Sequence, residues 1–183
     1  MIHVVVLLVS VPGRETDVER WFAARKRTLG GNEGLTGDAT LCPVLGPYDF
    51  VLEASCESAD DVGMLVGWLR EEVREWVERT VTVIETNQVA TEEARDGSAL
   101  AAWVLLRMGP EGGSPETEED LVKVGGCVSR VSAVFGEYDY VVRLGVNGYE
   151  EAVATVRTIR GRLGKRLAAS VTLLEAKLRP ERA

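Results

Sequence analysis

Hydrophobic positions along the chain change their spacing in a regular order. "IHVVVLLVSV" opens it as a short apolar strand, and a helix-period segment with Val18, Trp21 and Phe22 follows, headed by the capping-box pattern Thr16-x-x-Glu19. "ATLCPVL" predicts a second strand. In the third, strict alternation places Phe50, Leu52, Ala54 and Cys56 on one face. Val62, Leu65, Val66, Leu69, Val73 and Trp76 then recur at helical spacing, with Ser58 and Asp61 placed to cap that helix. "TVTVIET" closes the series as a fourth strand.

The series then repeats. "SALAAWVLLRM" predicts a strand, and Ser114-Pro115 marks a helix start with proline in the first turn. "CVSRVSAVF" and the alternating Tyr140, Val142, Leu144 and Val146 are the next two strands. Ala152, Val156, Ile159 and Leu163 form a helical stripe, which Asn147 with Glu150 is placed to cap, and "SVTLLEA" ends the copy. Gly46, Tyr48 and Asp49 have counterparts 90 residues on in Gly136, Tyr138 and Asp139, and "TVTVIET" meets "SVTLLEA" at the same offset.

Strand, helix, strand, strand, helix, strand is the ferredoxin-like order. The expected fold is therefore α+β, with two tandem βαββαβ units spanning residues 1–90 and 99–183 and a polar linker at 91–98 ("TEEARDGS"). Helices cover one sheet face of such a unit and leave the other apolar face bare. The two copies are thus expected to cover one another as a pseudo-dimeric α/β barrel.

Composition narrows the function. The 183 residues are 45% hydrophobic and 27% charged, ordinary for a globular chain, and the longest apolar run, Val4 to Val9, is too short to span a bilayer. The start lacks a cationic segment and a cleavage site, so no signal peptide is expected, and the odd cysteine count without CxxC spacing makes a reducing cytoplasm the expected compartment. The net charge of −8 repels phosphate backbones, and the basic cluster Arg157, Arg160, Arg162, Lys165 and Arg166 reads as a solvated helix face; nucleic acid is not an expected partner. Cys42, Cys56 and Cys127 are odd in number and lack CxxC spacing, which speaks against disulfides and a zinc site.

The Gly-x-Tyr-Asp hairpin, the apolar strand after it, the acidic-capped helix and the "TVT" or "SVT" closing strand resemble the ligand-binding (RAM) domain of Lrp/AsnC transcription regulators. About 45 residues of each copy carry the resemblance well. The sequence departs from the family in starting at the first strand, with no helix-turn-helix domain, and in fusing two copies. The resemblance implies an effector-binding or assembly module that does not itself bind DNA. Its ligand would be a small molecule such as an amino acid, and its partners further copies or full-length regulators. Gly46, Tyr48, Asp49, Gly136, Tyr138 and Asp139 are the expected ligand-binding residues, because a carboxylate can receive an ammonium group and a phenol can hydrogen-bond a carboxylate.

Catalysis finds little footing in the residues. His3 is the single histidine and alternates with apolar neighbours, so no Ser/His/Asp or Cys/His set forms without it, and an axial haem ligand is equally hard to find. "GPEGGSP" lacks the lysine of a phosphate loop. No catalytic residue, metal or cofactor is expected. Trp21, Trp68, Trp76 and Trp103 are expected in packing, with Trp68, off its helix stripe, as a candidate subunit contact. The alternative from another class is a small oxidase- or monooxygenase-like enzyme of the dimeric α/β-barrel type, which an apolar cavity with a buried polar pair would favour.

Overall fold

The computed structural model describes residues 1–32, 39–90, 98–112 and 114–176, so residues 91–97 of the expected linker lie outside the described residues. Two compact units emerge. Unit 1 contains Met1–Cys42, Pro47–Asn87 and Val134–Glu137; unit 2 contains Pro43–Gly46, Gln88–Ala133 and Tyr138–Ala183.

In chain order the first repeat supplies β1 (Ile2–Ser10), α1 (Glu15–Asn32), β2 (Thr40–Leu45), β3 (Phe50–Cys56), α2 (Ala59–Glu72) and β4 (Val77–Ala90). The second supplies β5 (Leu100–Met108), α3 (Pro115–Val122), β6 (Val128–Phe135), β7 (Tyr140–Val146), α4 (Tyr149–Leu163) and β8 (Leu167–Glu175), with a 3-10 turn at Gly164–Arg166. The strand orders β4-β1-β3-β2 and β8-β5-β7-β6 are ferredoxin-like, and the paired strands run antiparallel. Eight antiparallel strands and four helices make the α+β class that the apolar periods predict.

Strand alternation decides which side chains meet the helices. On the helix-covered face of unit 1, Val4, Val6 and Leu8 lie beside Phe50, Leu52 and Ala54 and pack under Val18 and Phe22 of α1 and Val62, Leu65 and Leu69 of α2. Unit 2 repeats this with Val104, Leu106, Val142 and Leu144 beneath Leu121, Ile159 and Leu163. Each such side chain contributes about 1.5–3 kcal/mol through burial. The opposite faces are buried too: Val5, Leu7, Val51 and Val83 in unit 1, and Trp103, Leu105, Val141 and Leu173 in unit 2.

The helix ends follow the sequence in two cases and depart from it in two. Ser58 and Asp61 form a reciprocal capping box on α2, and Ser114 holds the N-cap position of α3 ahead of Pro115, without a side-chain hydrogen bond to the helix. α1, however, begins at Glu15, one residue before the expected cap Thr16, because the Arg14 carbonyl already accepts from the amides of Asp17 and Val18. On α4 the cap is Gly148, and Glu151 rather than Glu150 reaches back to the Asn147 amide at 2.7 Å. The ring of Trp68 lies 5.1 Å from that of Trp21 and packs, partly buried, on the unit 1 core.

Candidate functional site

The two Gly-x-Tyr-Asp turns solve the same backbone problem. The β1–β3 ladder ends at Leu8 and Phe50 and the β5–β7 ladder at Leu106 and Tyr140, so the amides of Ser10 and Met108 lie past the last pair on the side of the turn. An amide beyond the end of its ladder needs another acceptor. Asp49 Oδ2 accepts that hydrogen bond from the Ser10 amide and a second from its hydroxyl, each at 2.7 Å; Asp139 Oδ2 accepts from the Met108 amide at 2.7 Å. The amides of Asp49 and Asp139 donate to the carbonyls of Leu8 and Leu106, each at 2.9 Å.

Tyr48 and Tyr138 are buried, and the Arg79 guanidinium stands 5.3 Å from the centre of the Tyr48 ring. Both glycines have positive φ, 151° at Gly46 and 148° at Gly136, where a side chain would be strained. A Cβ on Gly136 would lie 2.8 Å from the Thr82 carbonyl oxygen, and one on Gly46 would lie 2.7 Å from Leu173 Cδ2. Each expected site residue therefore has a task in its own hairpin.

A better-formed concavity lies within unit 2, between α4 and β8. The groove has a volume of about 390 Å³ and is walled by Leu45, Val153, Val156 and Leu174, with Tyr149, Arg157 and Arg160 at its rim and Thr172 in its floor. Leu45 and Tyr149 are 63% and 69% exposed, large fractions for such side chains. Arg160 is oriented by a 2.9 Å hydrogen bond from its Nε to Ser170 Oγ. The buried Thr172 hydroxyl has no hydrogen-bond partner among the described residues. The sequence pattern absorbed these arginines into one solvated basic face, but the structure divides that cluster. Arg166 is bonded to Asp120 and Thr117, tying α3 to the start of β8, whereas Arg157 and Arg160 face the groove.

A second polar group sits on the helix-free face of unit 1. His3 lies directly across from Ser55 in the β1–β3 ladder, with Nδ1 3.5 Å from Ser55 Oγ and Nε2 3.9 Å from Glu53 Oε1. Glu53 is buried. Its repeat counterpart Arg143 lies over the Trp103 ring on the helix-free face of unit 2, 5.8 Å from the ring centre. Elsewhere burial pushes the Cys56 thiol above its usual range, and burial together with Glu118 raises the Tyr140 phenol; both stay protonated near neutral pH. Among the described residues no three His, Cys, Asp or Glu side chains cluster as metal ligands. No described helix is long and apolar enough to cross a membrane.

No family model and no curated protein sequence matches the chain. Solved structures do. An anthrone oxidase-like protein is 10% identical with a TM-score of 0.64, covering 96% of this chain and 90% of its own. The siroheme decarboxylase NirDL is 10% identical with a TM-score of 0.63, covering 96% and 71%. A mutant chlorite dismutase from Candidatus Nitrospira defluvii is 10% identical with a TM-score of 0.59, covering 96% and 91%.

The chain shares its fold with these dimeric α+β-barrel proteins. That corrects three expectations: the Lrp/AsnC resemblance, the reading as a transcription-linked effector module, and the expectation of no enzyme. These neighbours are enzyme-type proteins by name, not regulators. The physical reason is the hairpin. In this chain Gly-x-Tyr-Asp answers a positive-φ turn and a strand amide left beyond the end of its ladder, so both copies of the motif are accounted for by local geometry.

Proposed function

We propose that the chain is an oxidase- or monooxygenase-like enzyme acting on a small organic substrate, its two repeats (1–90 and 99–183, joined by 91–98) forming one pseudo-dimeric α/β barrel. The fold likeness supports the barrel, because it spans 96% of the chain and hence both repeats. The observation that carries the enzyme reading is the α4–β8 groove. Its volume falls in the range of small-molecule sites, and it pairs an apolar wall with a few polar groups.

Haem does not fit the donors. His3, the single histidine, lies within the β1–β3 ladder with Nδ1 3.5 Å from Ser55 Oγ and Nε2 3.9 Å from the buried Glu53, Cys56 and Cys127 are buried against the helix-side cores, and Tyr140 is a core residue. The proposed chemistry therefore runs on the substrate's own electrons. Oxidation of an activated methylene to a ketone by dioxygen puts one oxygen atom in the product carbonyl and releases the other as water. The groove contributes by holding the substrate body against Val153, Val156 and Leu174, which shields one face of the reacting carbon from water.

Dioxygen uptake with anthrone, which carries an activated methylene, tests the reading, using Val153→Trp to fill the groove. Uptake that Val153→Trp abolishes at an unchanged thermal midpoint is the expected result. Uptake indifferent to Val153→Trp, or none at all, would overturn it.

A further inference from the structure

We infer that the α4–β8 groove selects an organic monocarboxylate with an apolar body, one per chain, and that Arg157 and Arg160 determine this specificity. The inference deepens the enzyme reading and rests on it for the groove being a substrate site. Arg157 and Arg160 stand three residues apart on α4, a spacing that brings two side chains to one patch of a helix surface. Planar guanidinium forks match the two oxygens of a carboxylate.

In a chain with 29 acidic residues, neither arginine has a carboxylate partner among the described residues. Arg160 is held in place by Ser170, a neutral group that leaves its charge uncompensated. The acid nearest the start of the helix stripe is turned away, since Glu151 accepts from the Asn147 amide at 2.7 Å and from Cys127 Sγ at 3.1 Å. The unpartnered hydroxyl of Thr172, a residue that lines the same groove, is a further polar group there. The apolar wall and the exposed Tyr149 ring accept the body of the molecule.

The stoichiometry follows from the repeat. At the positions of Tyr149, Val153 and Arg157, the first copy carries Ala59, Gly63 and Gly67. Thr82 has the same unpartnered hydroxyl as Thr172, and Val66 and Arg70 match Val156 and Arg160, but with Gly67 at the position of Arg157 α2 offers one guanidinium where α4 offers two. One such site per chain results.

Calorimetric titration of the full chain with 2-naphthoate, and with the neutral 2-naphthamide, tests the inference. We expect one naphthoate per chain and binding of the amide weaker by about tenfold or more, the loss of a charge-assisted hydrogen bond. The double variant Arg157→Gln/Arg160→Gln, both at exposed positions, should lower naphthoate affinity by a similar factor at an unchanged thermal midpoint. Arg157→Lys/Arg160→Lys should recover part of it. Absence of naphthoate binding, equal binding of naphthoate and amide, or naphthoate affinity indifferent to the glutamine pair would each overturn the inference. Dioxygen uptake separates the two readings. Arginine-dependent carboxylate binding without any uptake sinks the enzyme and leaves the anion site, whereas uptake from neutral substrates that the glutamine pair does not change sinks the anion site and leaves the enzyme.

Discussion

In unit 1 the Asp49 carboxylate accepts from both the amide and the hydroxyl of Ser10; in unit 2 Asp139 accepts from the Met108 amide alone, because methionine has no hydroxyl to offer. The turns are otherwise alike. Both glycines have φ near 150°, both tyrosines are buried, and both aspartate amides donate to the strand they face. The α2 and α4 faces, by contrast, have drifted apart, with Gly63 and Gly67 in one copy where Val153 and Arg157 stand in the other. Backbone geometry constrained the turn in both copies. A helix surface had no such constraint, and the α4–β8 groove uses side chains, Val153 and Arg157, that the first copy replaces with glycine. Duplicated units keep what the fold needs and diverge on the surfaces it leaves free.

The largest expected effect separates the two glycines. Gly136→Ala drives a Cβ against a backbone carbonyl at positive φ and should cost about 3 kcal/mol or more in denaturant unfolding. Gly46→Ala meets the end of the Leu173 side chain, which can move, so a smaller loss is expected. Equal losses would mean that backbone strain alone sets the cost at both turns.

The aspartates come next. Asp49→Ala leaves the buried Ser10 amide and hydroxyl without their acceptor, whereas Asp139→Ala strands one amide. Chemical denaturation should show about 2–3 kcal/mol lost for the first and about 1–2 for the second. A reversed order would assign the difference to something other than the Ser10 hydroxyl.

The helix starts give a smaller contrast. Ser58→Ala should cost about 1 kcal/mol, since it removes half of the α2 capping box, while Gly148→Ala on α4 has no side-chain cap to lose. Thermal midpoints of the two variants measure this directly.

The smallest effect depends on pH. The hydrogen bond and charge of Arg166 hold the Asp120 carboxyl below its usual range. A lowered folded value means that the pair stabilises the fold above the unfolded value, about pH 4, and that this contribution is lost as pH falls through the lowered one. Asp120→Asn should therefore be less stable than the parent at pH 6 and converge with it in strong acid, as read from unfolding curves across pH.

Much of the fold was legible because period and burial share a cause. Phe50, Leu52, Ala54 and Cys56 alternate because one sheet face meets helices, and they form that core. Element order and the Ser58–Asp61 cap were legible for the same local reason. The cap of α4 was not, since Glu150 and Glu151 are equally placed in sequence and only the three-dimensional path of the chain turns Glu151 back onto Asn147. Site residues were the hardest to read. Tyr48, Asp49, Tyr138 and Asp139 stand out as a repeated motif, yet a repeated motif is also what a positive-φ turn and a strand amide past its ladder produce.

By itself, the sequence determined the two βαββαβ series, the core faces and the glycine-dependent turns, all properties of residues near one another along the chain. Tertiary structure decided the rest. It joined Leu45, distant in sequence, to α4 and β8 as one groove, split a run of arginines into a clamp and a rim, and set His3 beside Ser55 and Glu53. Those arrangements depend on which strands become neighbours, and local periodicity does not encode what stands at the far side of a sheet or helix.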